Sequence, residues 1–229
     1  MRIARNCPND PLNYLPRRAL VEYQKGQVIY FRNCESLYLV AAGRVKLSSV
    51  APDGGEAVIR IVPSEGLFGE SGMVNEELCE RAVALDRVQV MVWNNLEIEQ
   101  QIEKEPRLGL ALIEELVAAS LEMKERLHGM ANYKTPQRVM LSLLQLARAL
   151  GAQQPDGALR MGSLTHHIIA EHVGTSREIV TSQMNRLRRL GLVGYTRNHI
   201  DVYRDAMEYA LRSQGIGLKY ATGLSFAAG

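Results

Sequence analysis

At 229 residues, with 46% hydrophobic and 23% charged side chains, the chain is long enough for two domains and too apolar to be disordered over most of its length. No apolar run reaches the length that spans a bilayer, and "MRIARNCPND" lacks the apolar segment of a secretory leader, so a cytoplasmic location without membrane contact is expected. The net charge of +2 conceals an asymmetry: residues 1–133 hold 15 Lys+Arg against 19 Asp+Glu, and residues 134–229 hold 12 against 6. An anionic partner is therefore expected for the second part, a basic surface kept for solubility being the plainer alternative.

From Leu20 to about Val92 short β-rich runs alternate with turn signals, and Val88, Val90 and Val92 show period-2 alternation. Asp53-Gly54-Gly55 is a hairpin turn, so this part reads as an antiparallel roll or sandwich. After Asn94 the chain becomes rich in Leu, Glu, Lys and Ala, and Pro106 can open a helix. Ile113, Leu116, Val117, Leu121, Leu127 and Ala131 recur at helical spacing, with Ser120 and Lys124 on the same side. They predict one amphipathic helix of roughly 25 residues, whose apolar stripe covers its own β domain, forms a dimer seam, or does both.

Thr135-Pro136 ends that helix, and "RVMLSLLQLARALGA" begins another that stops at Gly151. "QQPDG" is a loop. Then comes "VGTSREIVTSQMNRLRRLGLV", residues 173–193, which follows a helix of about Thr165 to Val173. Two helices joined by a tight turn with glycine are the helix-turn-helix pattern, whose second helix lays its N-terminal side chains against base edges in the major groove. Thr175 and Ser176 compete as its cap, and Glu178 has capping-box spacing from Thr175. Ile179, Val180, Met184 and Leu187 are expected to face the core, leaving Arg177, Glu178, Thr181, Ser182, Asn185 and Arg188 outward as readers. Arginine can donate twice to guanine and glutamate can accept from cytosine N4. Against this, Glu178 can simply close the capping box, and Arg188 and Arg189 can be solvated helix-end cations. "GLVGYTRNHIDVY" fits a hairpin wing with Arg197 and His199 near its tip, and "SQGIGLKYATGLSFAAG" reads as a loose tail.

These motifs, in this order over residues 20–205, resemble the CRP/FNR superfamily of bacterial transcription regulators. "KGQVIYF", "SLYLVAAGRVKLSSVAPDGGEAVIRIV", "GLFGESGM" and "ERAVAL" look like its cyclic-nucleotide-type roll, and "GTSREIVTSQMNRLRRLGLV" resembles its recognition helix. The resemblance implies an α+β protein with an N-terminal antiparallel, jelly-roll-like β-roll (1–106), a dimerisation helix (107–134), a C-terminal winged helix-turn-helix (135–212) and a tail (213–229). It implies a homodimer on a palindromic double-stranded DNA site, and contact with RNA polymerase if the protein activates. It also places a small effector in the roll, against Gly69, Glu70, Arg81 and Ala82, with Glu122 and Met123 on the long helix. Cyclic AMP is put in question by Ala82, which lacks a hydroxyl for the phosphate, and by Glu122-Met123, where two hydroxyl residues would meet the purine. Glu70 and Arg81 can instead pair with each other and stiffen an empty roll. At the third reading position Ser182 stands where arginine is usual, so a different half-site is expected.

Cys7, Cys34 and Cys79 are too scattered for a disulfide framework, a closed zinc site or an iron–sulfur cluster. Haem would rest on a lone His128 or Cys79 and is not expected, and His166, His167 and His172 read as partly exposed side chains without a metal-ligand set. No paired carboxylates or nucleophile–histidine set suggests an enzyme. The alternative to effector gating is a regulator of the same fold controlled by abundance or by cysteine oxidation.

Overall fold

The computed structural model describes residues 10–32, 34–73 and 79–216, which divide into two compact units with the boundary at Ala118 and Ala119. Cys7 and tail residues 217–229 lie outside the described residues.

The first unit holds eight strands: β1 (Val21–Tyr23), β2 (Val28–Phe31), β3 (Ser36–Ala42), β4 (Val45–Val50), β5 (Glu56–Val62), β6 (Leu67–Phe68), β7 (Glu80–Ala84) and β8 (Val88–Asn94). They form two antiparallel sheets, ordered β1-β8-β3-β6 and β2-β7-β4-β5. The Asp53-Gly54-Gly55 turn closes the β4–β5 hairpin, with Ala51 N donating to Gly55 O at 2.8 Å. Strand β3 is apolar on both faces because both are covered. Val40 joins a core with Tyr30, Val45, Leu47, Phe68 and Ala82. Leu37 and Leu39 join another with Trp93, Ile98 and Leu108. Burying such side chains contributes roughly 1.5–3 kcal/mol each before entropy is counted.

Ile98 belongs to α1 (Asn95–Lys104), a helix the sequence reading did not separate. It is set by a capping box in which Asn94 and Glu97 exchange backbone and side-chain hydrogen bonds. Leu108 opens α2 (Arg107–Asn132), whose 26 residues match the expected length and span about 39 Å. Leu110, Ile113, Leu116, Val117, Leu127 and Met130 of α2 are all exposed. The stripe is therefore not consumed by the chain's own packing.

The second unit comprises the later part of α2, then α3 (Thr135–Leu150), β9 (Ala152–Gln153), β10 (Leu159–Gly162), α4 (His166–Val173), α5 (Arg177–Arg189), β11 (Val193–Tyr195), β12 (His199–Val202) and α6 (Arg204–Arg212). Its sheet runs β11-β12-β10-β9. "QQPDG" turns out to supply the turn of the short β9–β10 hairpin. Helix α6 lies beyond the wing hairpin, where the sequence reading placed no separate helix, and Arg148 of α3 fixes it by an ion pair to Glu208 at 2.8 Å. The core draws Leu143 and Ala147 from α3, Ile169 from α4, Val180, Met184 and Leu187 from α5, and Val202 from β12.

Candidate functional site

The turn between α4 and α5 fixes how α5 is presented. Thr165 caps α4 by accepting from Ile168 N at 3.2 Å, and α4 ends at Gly174, whose φ of +71° is open to glycine at little cost. Gly174 N and Thr175 N both donate to Ala170 O, at 2.9 and 3.0 Å. Two guanidiniums from other helices satisfy carbonyls at the same end: Arg126 donates to His172 O at 2.9 Å and Arg138 to Gly174 O at 3.3 Å. Inside, Ser142 Oγ lies 2.6 Å from His172 Nδ1. His172 is therefore buried, not partly exposed as the sequence suggested, and burial with Arg126 nearby pushes its pKa down to about 3. The imidazole is held neutral.

Ser176 takes the N-cap of α5, accepting from Ile179 N at 3.4 Å. Thr175 therefore sits one residue too early to cap, and the Thr175–Glu178 capping box does not form. Glu178 instead turns its carboxylate to its own backbone N–H and the Ser176 hydroxyl, which hold its pKa below the usual range. Val180, Met184 and Leu187 face inward as expected, but Ile179 is 41% exposed. It stands one residue before Val180, and at 100° per residue that step carries it off the buried stripe. The outward face then presents Arg177, Ser182, Asn185, Arg186, Arg188 and Arg189.

Thr181 is tied down: its hydroxyl donates to Arg177 O at 2.9 Å and lies 2.9 Å from His166 Nδ1, joining α5 to the start of α4. Tyr195, at the base of the wing, passed unnoticed in the sequence. Its hydroxyl donates to Asn185 Oδ1 at 2.8 Å, its ring lies 5.1 Å from the Arg188 guanidinium carbon, and the His166 ring meets it edge-on at 6.0 Å. The wing thus braces two candidate readers and leaves the Asn185 amide NH2 as a donor. The only advance signal was an aromatic residue following the buried Val193 with one residue between them. At the wing, Arg197 is exposed, whereas His199 turns to Thr196 Oγ1 (3.0 Å) and Asp201 (3.4 Å).

In the roll, Glu70 and Arg81 do not pair with each other, correcting that expectation. Glu70 accepts from Arg60 at 2.7 Å, and the same guanidinium nitrogen donates to Leu67 O at 3.0 Å. Arg81 pairs with Glu56, which also holds Lys46 at 2.8 Å, and it stacks 5.1 Å over Phe31. Directly opposed residues of an antiparallel pair share a face. Leu47 opposes both Arg60 and Ala82, so these three share the inner face, and Arg81, one residue before Ala82, leaves by the other. Inside, Tyr30, Tyr38 and Phe68 stack with centroids 4.9–6.2 Å apart. Gly69 has φ +91°, and a Cβ there would lie 2.4 Å from Ser36 O, so the fold itself requires this glycine. Among the described residues Glu70 Oε2 is buried without a partner. A carboxylate oxygen is thus open to a hydroxyl, but the cation on the inner face, Arg60, is taken by Glu70 and Leu67 O, and Arg81 is turned away: these residues do not fit a cyclic nucleotide. Glu122 and Met123 are exposed on α2. Cys34 is buried, its thiol donating to Ser36 O at 3.0 Å and its pKa pushed up to about 11 by burial; Cys79 is exposed.

A profile of the cyclic nucleotide-binding domain matches residues 20–105, and one of the Crp-like helix-turn-helix domain matches residues 137–205. A "CRP-like cAMP-activated global transcriptional regulator" of Mycobacterium tuberculosis is 30% identical over 176 residues, spanning 72% of this chain and 75% of the relative. The chain belongs to the CRP/FNR family of transcription regulators. This CRP/FNR regulator is also 27% identical to a "Global nitrogen regulator" of Synechocystis sp. over 79% of its length and 83% of the relative's. The fold matches a CRP/FNR-family regulator from Thermus thermophilus with a TM-score of 0.65 at 24% identity, covering 84% of this chain and 98% of that one. It matches FixK2 from Bradyrhizobium japonicum with a TM-score of 0.72 at 18% identity, over 83% and 96%. The protein is thus a transcription regulator with a helix-turn-helix DNA-binding domain, and no described helix is long and apolar enough to cross a membrane.

Proposed function

We propose that this CRP/FNR regulator binds a two-fold-symmetric DNA site as a homodimer, with the α2 stripe as its seam and α5 as its reading helix in the cytoplasm. The observation that carries this reading is the exposed face of α5. Among the described residues Arg186, Arg188 and Arg189 form no ion pair, and neither does Arg197 of the wing. Cations left without anions on a groove-sized helix suit phosphates and guanine edges. Arg177 and Ser182 read bases, Asn185 and Arg188 are braced by Tyr195 for the same face, and Ser176 and Arg197 hold phosphate. Thr175, Glu178 and Thr181 serve the geometry of α5. A two-fold dimer sets its half-sites about one helical turn apart.

Gating by a small effector remains part of the proposal, with the roll around Gly69, Glu70, Arg81 and Ala82 as one place for it and Glu122 and Met123 on α2. The relative of M. tuberculosis is named for cAMP activation, but the orientation of Arg81 argues against cyclic AMP in this chain. If the protein activates, RNA polymerase is its further partner. The test is selection from a random duplex library at fixed salt, without additive and with cyclic AMP or cyclic GMP. A palindromic site enriched equally in every arm is the expected result. Enrichment only with a nucleotide would return the phosphate role to Arg81, and no enrichment in any arm would overturn operator reading by the effector-free chain.

A further inference from the structure

Where the later part of α2 meets α3 and α4 there is a half-open cleft of about 360 Å³. That volume is in the range of small-molecule sites. Leu121, Met130, Tyr133, Leu141, Val173 and Ile216 give it mostly apolar walls. Three cations, Lys124, Arg126 and Arg138, also border it. The single acid on its lining among the described residues, Glu125, has its pKa raised by burial and is capped by Gln145 Nε2 at 3.4 Å. His172 is neutral, and exposed His128 is engaged by Asn132 and Tyr133. The lining is therefore apolar with an excess of positive charge.

Arg138 stands out. Among the described residues its Nε is buried with no hydrogen-bond partner, and its Nη2 reaches only Thr135 Oγ1 at 3.5 Å and Gly174 O at 3.3 Å. A guanidinium has five donors in a fixed fork, and an unmet buried donor is costly. An anion meeting Nε and Nη2 together would satisfy that fork in the bidentate manner. We propose that this cleft binds an amphipathic organic anion, its carboxylate on Arg138 and its apolar body along Leu141 and Val173. Because Arg138 also holds Gly174 O in the α4–α5 turn, an occupied cleft pulls on the residue that positions α5. By linkage, ligand and DNA then alter each other's affinity by the same factor.

The probes are octanoate and octan-1-ol, titrated into the full chain carrying 13C-methyl Leu and Val, without DNA, so the result is independent of operator reading. Expected are saturable shifts at Leu141 and Val173, and about tenfold tighter binding of octanoate than of the alcohol, the size of one charge-assisted pair. Arg138→Gln should bring the two affinities together while the alcohol still binds, and Leu141→Trp should block both. The site is overturned by shifts confined to Leu110, Leu116 and Val117, by the absence of millimolar binding, or by an acid-to-alcohol ratio that Arg138→Gln leaves unchanged.

Discussion

The roll and the face formed by α5 and the wing handle charge in opposite ways. In the roll, cation after cation finds an internal anion: Arg44 with Asp86, Lys46 and Arg81 with Glu56, Arg60 with Glu70, Arg87 with Glu22. On α5 and the wing, Arg186, Arg188, Arg189 and Arg197 form no such pair among the described residues, although Glu178 lies on the same helix. A surface whose charges close on one another needs no external counter-charge, whereas one that leaves a row of arginines open is suited to an external polyanion. The asymmetry of net charge in the sequence is the coarse trace of this difference.

The largest effect is expected from breaking the seam. Leu116→Glu puts a charge into the α2 stripe, where a partner helix would have to desolvate it, and should abolish dimerisation and with it tight operator binding. Sedimentation at micromolar concentration checks this, and a fully dimeric variant would remove Leu116 from the seam. Next comes Arg177→Ala. Loss of a bidentate guanine contact should reduce discrimination at one base pair by about 5–150-fold, or 1–3 kcal/mol, leaving the dimer intact. Competition between selected and scrambled duplexes measures it.

Much of this was legible in the sequence, because the roll, α2, α4 and α5 are each announced by periodicity and turn chemistry that tertiary contacts reinforce. Gly174 demanded a left-handed cap, and Val180, Met184 and Leu187 fell on one stripe. What escaped depends on one-residue offsets or on contacts distant in sequence. Whether Thr175 or Ser176 caps α5 is an offset of one, and it decided the role of Glu178. Whether Arg81 enters the roll is a matter of strand parity, fixed only once Ala82 is seen opposite Leu47. Tyr195 against Asn185 and Arg138 against Gly174 are pairings that no local pattern could announce.

A smaller effect tests the interior of the DNA-binding unit. His172 is neutral in the folded state, with its pKa lowered to about 3, against about 6.5 when unfolded. Its contribution is complete above the unfolded value. As pH falls below 6.5 the unfolded chain takes up a proton that the folded one refuses, so stability falls down to about pH 3. At pH 5 the loss is about 2 kcal/mol. Thermal melts of the parent between pH 7 and 5 should show this decline, and His172→Gln, which can still meet Ser142, should flatten it even if its melting temperature is lower throughout. Parallel slopes would mean that His172 is not kept neutral.

The smallest effect should come from a cation in the roll. Arg81 is 36% exposed at the side chain, and its loss leaves Glu56 with Lys46 and with Ser48 Oγ at 3.3 Å. Arg81→Ala should therefore reduce stability by about 1 kcal/mol or less, as expected of a screened pair, and leave affinity for the selected duplex unchanged. Arg188→Ala removes a charge of the same kind from α5 and should do the reverse, with little change in melting and a salt dependence of binding shallower by about one counterion. If Arg81→Ala instead weakened DNA binding as much as Arg188→Ala, the roll would not be electrostatically self-contained. Its Glu56–Arg81 pair would then have to be coupled to the state of the DNA-binding unit.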